Sequence, residues 1–188
     1  VVTCDTRSTY CNMPEYVILV TPDDQPVGRM EKMEAHEKGV LHRAFSVFLF
    51  NEKGETLLQQ RAAEKYHSPL LWTNTCCSHP RERESVVDAA NRRVFEELGI
   101  GPTEITDLHS DFHFVYRAEF DNGLIEHELD HVLVGQFDVS CVLNPEEVAA
   151  VKWISMEALF ADVEAQPEQY TAWFKIILAE YAKHLPQS

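Results

Sequence analysis

Residues 84–99 read Glu84-Ser85-Val86-Val87-Asp88-Ala89-Ala90-Asn91-Arg92-Arg93-Val94-Phe95-Glu96-Glu97-Leu98-Gly99. Val86, Ala90, Val94 and Leu98 recur every four residues, which lays one apolar stripe along a helix expected over Glu84–Leu98. Gly99 is well placed to end it in the left-handed conformation. On a different face Arg93 and Glu97 are also four apart, so both project toward one side. A helix with a single apolar stripe has to lie on something, and the chain to either side offers strands.

Upstream, Tyr16–Val20 is a short apolar run ended by Thr21-Pro22-Asp23-Asp24, a strand followed by a turn. Phe45–Phe50 is aromatic and β-branched, Asn51-Glu52-Lys53-Gly54 carries turn chemistry, and Thr56–Gln60 returns as the expected partner strand of a hairpin. Downstream, strands are expected at Phe112–Ala118 and Leu124–Val139, joined through an Asn122-Gly123 turn, and at Val148–Ile154. Ser155 can cap a helix to about Val163, and Thr171 can start a last helix to about His184. Strands and helices mixed without regular βαβ alternation predict an α+β (α/β sandwich) architecture, a mixed β-sheet flanked by helices.

With 188 residues, 45% hydrophobic and 25% charged, the chain suits one soluble domain. A net charge of −15 argues against nucleic acid as the partner, because a phosphate backbone would be repelled. A small anion is still acceptable where a local basic cluster or a metal ion inverts the field. No stretch approaches the ~20 apolar residues of a membrane span, and the N-terminus lacks the pattern of a secretory signal. Five scattered cysteines (4, 11, 76, 77 and 141) suggest no disulfide framework and fit reduced thiols in the cytoplasm. Val1–Asn12 has neither helix nor strand period, and Met13 would make a natural start. Residues 1–12 are therefore expected to be a leader or an expression-derived segment, and 13–188 a single domain.

Three segments concentrate unusual chemistry: His36 to His42, Trp72 to Pro80, and Glu126-His127-Glu128. Three imidazoles and two carboxylates could form one octahedral N/O site, the preference of Mn²⁺ or Mg²⁺ more than of tetrahedral Zn²⁺. If Glu126–Glu128 is a strand, both carboxylates point to one face and His127 to the other, which excludes His127. Taken singly, each feature has a plainer reading: a surface or core histidine, a solvated pair of glutamates, a buried cysteine.

The helix supplies a link between them. Glu84, Arg92 and Glu96-Glu97-Leu98-Gly99-Ile100 resemble the Nudix box, the helix signature of enzymes that bind metal–diphosphate groups. Ser78 stands where that box has its first glycine and Arg93 replaces the glutamate after Arg92, so ordinary diphosphate hydrolysis is disfavoured. The segments Leu41–Phe50 (LHRAFSVFLF), Thr73–Pro80 (TNTCCSHP), Arg92–Ile100 (RRVFEELGI) and Glu126–Glu128 (EHE) closely resemble type I isopentenyl-diphosphate isomerases, in order and spacing from about Val17 to Ile177.

That resemblance implies a Nudix-like fold and the isomerisation of isopentenyl to dimethylallyl diphosphate, within isoprenoid biosynthesis. His36, His42, His79, Glu126 and Glu128 match the five ligands of the family's protein-bound divalent metal. Cys77 and Glu128 match the catalytic pair, and Cys76 the non-catalytic neighbour. Tyr116 matches the tyrosine that hydrogen-bonds the catalytic glutamate, and Trp173 the tryptophan over the reacting hydrocarbon. Glu97 matches the glutamate that helps hold a Mg²⁺ brought in with the diphosphate, while Lys32, Arg61, Lys65 and Arg93 match positions that contact the diphosphate itself. The implied partner is a small-molecule diphosphate, with the protein a monomer or homodimer. Trp72 and Trp153 are assigned to the core.

Overall fold

The structure is a computed structural model, and it describes residues 14–186. The expected leader, Val1–Asn12, lies outside the described residues. The strands are β1 (Tyr16–Val20), β2 (Pro26–Glu31), β3 (His42–Phe50), β4 (Glu55–Arg61), β5 (Trp72–Thr73), β6 (Cys76–Ser78), β7 (Thr106–Glu119), β8 (Ile125–Gln136) and β9 (Val148–Ser155). The α-helices are α1 (Lys32–Lys38), α2 (Val86–Leu98), α3 (Met156–Ala165) and α4 (Ala172–Ile176). The mixed sheet flanked by helices is the architecture expected: β3 and β8 run parallel, and the other paired strands are antiparallel.

Alternation along β3 organises the molecule. Its odd-numbered Phe45, Val47 and Leu49 pack with Ala89, Ala90, Val94 and Leu98 of α2. Its even-numbered Phe48 and Phe50 join Tyr116, Val132, Trp173 and Phe174 in a second cluster. Burying a leucine or valine side chain contributes about 1.5–3 kcal/mol, so the α2 stripe is held mainly by Val94 and Leu98, both fully buried. Ser85 caps α2 by accepting from Asp88 N, and Gly99 ends it at φ 66°. The helix therefore starts at Val86 and not at Glu84, whose carboxylate instead takes a bidentate pair from Arg92 at 2.7 and 2.9 Å.

The expected β3–β4 hairpin is a correction. The two strands pair only at Phe50 and Thr56, and β4 then leaves to pair with β9 along its whole length. Thr73-Asn74-Thr75, all fully buried, fill the fork. The Thr75 hydroxyl accepts from Leu49 N at 2.9 Å and donates to Leu57 O at 2.6 Å, replacing the lost ladder bonds. Asn74 Nδ2 donates to Val47 O and Cys76 O. A backbone polar group left unpaired in this fork would cost about 1–3 kcal/mol, so the wedge is what permits two strand layers to diverge around a cavity.

Other boundaries also differ from expectation. β7 begins six residues before Phe112, because paired register shifts let it follow β8 farther. β8 stops at Gln136, short of Val139. The C-terminal helix keeps its α form only over Ala172–Ile176, then widens at Ile177–Tyr181 and tightens at Ala182–His184. β2 and α1 were not expected at all; α1 is capped by Glu31, accepting from Glu34 N, and is stopped by Gly39 at φ 61°. Trp72 and Trp153 are half-buried and pack against the two clusters, Trp72 under the Lys152 ammonium.

Candidate active site

Strand register assembles the site. His42 lies beside Glu128 in the parallel β3–β8 pair, and Tyr116 lies across from Glu128 in the antiparallel β7–β8 pair. One row of side chains thus runs across three strands on the face opposite α2. Cys77 pairs with Ser46 and Cys76 with Val47, so period two sends Cys77 into the cavity and Cys76 under α2. His127 points the other way, as expected, with Nδ1 3.0 Å from Gly39 O.

The cavity holds about 110 Å³, roughly four waters at ~30 Å³ each. Cys77, His79, Tyr116, Glu126, Glu128 and Trp173 line it, together with the cationic Lys32, Arg61, Lys65 and Arg93. Among the residues expected at the site, His36, His42 and Glu97 stand behind the lining. Glu97 is buried beside α2, where its carboxylate takes Arg93 Nη2 at 2.6 Å and Gln59 Nε2 at 3.0 Å.

The imidazoles gather closely, with ring centroids of His36–His42 at 5.0 Å, His42–His79 at 5.1 Å and His36–His79 at 5.8 Å. His36 Nδ1 donates to Lys32 O at 2.7 Å and His42 Nδ1 to Val40 O at 2.8 Å. A carbonyl can only accept, so each ring carries its proton on Nδ1 and aims a bare Nε2 lone pair inward. Both Nε2 atoms are buried and lack a donor. They face Glu128 Oε1 at 3.9 and 3.4 Å, and His79 Nε2 lies 3.0 Å from the same oxygen. Two inward-facing Nε2 atoms without a hydrogen-bond partner, beside a carboxylate that His79 also reaches, make a donor set that fits a divalent cation.

By distance, the expected donors and one further residue fall into two overlapping groups. His36, His42, His79 and Glu128 make one group, and His36, His67 and Glu126 make a second, joined at His36. Glu126 Oε1 is 3.2 Å from His67 Nε2. Nothing in the sequence pointed to His67: it stands in a loop without period, and only its fold brings it here.

Burial and the neighbouring Glu128 carboxylate push Glu126 well up. Burial opposes ionisation of Glu128 as well, but the imidazoles of His42 and His79 hold it well below the usual carboxylate range. The Tyr116 hydroxyl lies 2.7 Å from Glu128 Oε2 and 3.0 Å from Glu126 Oε2. It has one proton to share between the two carboxylates, and the shorter contact is to Glu128. Burial pushes the Cys77 thiol up, and burial holds His79 down to about 4. As the side chains stand, then, Cys77 carries a proton and Glu128 a charge.

A NUDIX domain profile matches residues 40–174. Two curated proteins are close in sequence: isopentenyl-diphosphate Delta-isomerase 2 of Aromatoleum aromaticum, 49% identical over 88% of this chain and 86% of its own, and the isopentenyl-diphosphate Delta-isomerase of Aliivibrio fischeri MJ11, 46% identical over 94% and 99%. The chain belongs to the isopentenyl-diphosphate isomerase family, within the NUDIX superfamily. Solved structures carry the fold further out. DR0079 of Deinococcus radiodurans superposes with a TM-score of 0.71 at 18% identity, covering 89% of this chain and 99% of that one. A MutT protein of Methanosarcina mazei Go1 gives 0.60 at 19% identity over 76% and 94%. At such identities the likeness concerns fold alone.

Among the described residues no helix is long and apolar enough to cross a membrane. Among the described residues Cys76, Cys77 and Cys141 are free thiols.

Proposed function

We propose that this protein isomerises isopentenyl diphosphate to dimethylallyl diphosphate, with Cys77 and Glu128 as the acid–base pair. The reaction adds a proton to the terminal alkene carbon, leaves a tertiary carbocation, and removes a proton from the carbon nearer the diphosphate. It therefore needs an acid and a base around one small, dry space. The observation that carries the reading is a partly buried thiol and a buried carboxylate lining one cavity.

Tyr116 keeps Glu128 oriented through the 2.7 Å contact. Trp173 offers its π face to the cation, and it is positioned by Nε1 donating to Asn74 Oδ1 at 3.2 Å. A desolvated cation–π contact is worth about 2 kcal/mol, or ~30-fold in rate, so proton transfer carries the larger share. His36, His42, His79, Glu126 and Glu128 would hold a divalent ion, Mn²⁺ or Mg²⁺, whose fixed charge would tune the proton affinity of the Glu128 carboxylate.

Lys32, Arg61, Lys65 and Arg93 would anchor the diphosphate, whose binding positions the remote alkene. Glu97 would hold Mg²⁺ accompanying the diphosphate. Arg93 now lies on Glu97, and both needs are met together when Arg93 exchanges that carboxylate for phosphate. We further place the protein in the cytoplasm, as a monomer or homodimer with residues 13–188 as its working unit.

A Nudix hydrolase acting on a nucleoside diphosphate is the reading to beat. It has no use for a thiol and a carboxylate lining one cavity, and its first box glycine and second box glutamate are Ser78 and Arg93 here. A metal-binding module without catalysis has no use for the acid–base pair. The test is incubation with isopentenyl diphosphate, Mg²⁺ and Mn²⁺ in D₂O. Dimethylallyl diphosphate carrying deuterium is expected, and chelator should abolish it. Cys77→Ala and Glu128→Gln should each remove nearly all turnover while the far-ultraviolet spectrum stays unchanged, and Cys76→Ala should be close to neutral. Phosphate release without dimethylallyl product would overturn the proposal.

A further inference from the structure

The loop between β4 and β5 is built at some conformational cost. Ser68 and Leu70 both take left-handed φ angles, 49° and 59°, which non-glycine residues adopt only when their surroundings enforce it. Arg61 enforces it here: its Nε donates to Ser68 O at 3.2 Å and its Nη2 to His67 O at 3.1 Å. Gln60 Nε2 adds a bond to Leu70 O at 3.0 Å. The outcome of this effort is the placement of one side chain. His67 is 6% exposed, stacks on Phe120 at 4.8 Å and meets Trp173 edge-on at 5.9 Å.

Its Nε2 is turned to Glu126 Oε1 at 3.2 Å, while Nδ1 faces the Ser68 hydroxyl at 3.4 Å. Two donors at right angles around one ion, with bonds of about 2.2 Å, stand about 3 Å apart. The His79–Glu128 contact of 3.0 Å, the His42–Glu128 contact of 3.4 Å and the His67–Glu126 contact of 3.2 Å all have that edge length. His36 belongs to both donor groups, and its buried Nε2 has no partner. An ion that takes Glu126 into its shell beside His36 meets His67 on the same side.

We propose that His67 is a sixth protein ligand of the divalent ion, so that protein donors alone fill its octahedral shell. This rests on the metal centre proposed above and deepens it. Its consequence is chemical. An ion with an open position binds and acidifies water, and water next to a tertiary carbocation would trap it. A shell closed by His67 leaves the ion its charge and denies it that water.

The test uses the whole protein, stripped with chelator and titrated with Mn²⁺ alone. Free Mn²⁺ is read by electron paramagnetic resonance, and inner-sphere water by the relaxation rate of solvent protons. The unaltered protein should bind one Mn²⁺ at this centre with no exchangeable inner-sphere water. His67→Ala should admit one water and weaken binding at least ~10-fold, and added imidazole should expel that water again. His67→Phe keeps the ring packing against Phe120 and Trp173, so it guards against a folding artefact; it too should admit one water. An exchangeable water in the unaltered protein would overturn the proposal, as would unchanged affinity and water number in His67→Phe. Weaker binding with an unchanged water number would make His67 a support for Glu126 and would also overturn ligation. Failure of the unaltered protein to bind Mn²⁺ would bring down the metal centre itself, and His67 with it.

Discussion

The two ends of the cavity are prepared in opposite ways. At the imidazole end, the Nε2 lone pairs of His36 and His42 are buried without a donor, and buried carboxylate oxygens stand beside them. At the cationic end almost every charge already has its partner. Lys32 pairs with Glu15 at 2.6 Å, Lys65 with Glu147, and Arg93 with Glu97 at 2.6 Å and Glu147 at 3.4 Å. Arg61 differs again, giving its guanidinium to backbone carbonyls and to the Trp173 face at 5.4 Å. One end gathers donor atoms suited to the cation proposed above. The other, on the proposed reading, exchanges carboxylates for phosphate, and its present pairings keep its cations fixed and partly neutral in a chain of net charge −15.

The sharpest way to break this contrast is at the imidazole end. His42→Ala removes a fully buried donor whose tautomer is fixed by Val40 O. Loss of even an outer partner of a metal ligand costs 10–100-fold in affinity, so loss of the ligand should cost Mn²⁺ affinity at least ~100-fold. The stripped protein should remain folded, since no protein hydrogen bond to Nε2 is lost. Titration calorimetry that found affinity within about tenfold of the unaltered protein would mean that this end is not the cation site.

Next in size is the wedge that holds the two ends apart. Thr75→Val keeps the shape of the side chain but strands Leu49 N and Leu57 O. Each buried group left unpaired costs about 1–3 kcal/mol, part of which relaxation recovers, so a loss near 2 kcal/mol is expected in urea unfolding. Mn²⁺ affinity should change far less than in His42→Ala, because Thr75 touches neither end.

What could be read from the chain follows the same physics. The α2 stripe, the Gly99 stop and the opposite faces of Glu126 and His127 come from period and local sterics, and they stand as expected. The β3–β4 hairpin misled because its turn is real, while the pairing beyond it is decided by Thr75, fifteen or more residues away in sequence. His67, Glu15 and Glu147 left no trace at all. Each lies in or beside a loop, and each gains meaning only from a partner brought to it by the fold, at separations of 59, 17 and 82 residues. The motif-bearing donors were legible because they cluster in short segments; their counter-charges do not.

At the cationic end the expected effects shrink. Glu147→Gln frees Lys65 and loosens Arg93, both only about one-fifth exposed. Partly exposed pairs of this kind are worth about 1 kcal/mol, so inorganic pyrophosphate should bind roughly 5-fold tighter without Mg²⁺. Equal or weaker binding would mean that Glu147 does not compete with the anion.

The smallest effect belongs to Glu15, and pH separates it from the others. Burial would raise its carboxyl, but the charge and hydrogen bond of Lys32 bring it down to about 2. The unfolded value is about 4.3, so the pair's contribution to stability is complete above that pH and disappears as pH falls through about 2. Half of the Glu15 side chain is exposed, and solvent screening limits the pair to under ~1 kcal/mol. Glu15→Gln should therefore be slightly less stable than the unaltered protein at pH 7 and indistinguishable from it near pH 2, as read by chemical unfolding at each pH. A deficit that grew on acidification would have the wrong sign for an ion pair and would leave Lys32 held by something other than Glu15. In that case the contrast between a cation-ready end and an end that must exchange its partners would rest on Lys65 and Arg93 alone.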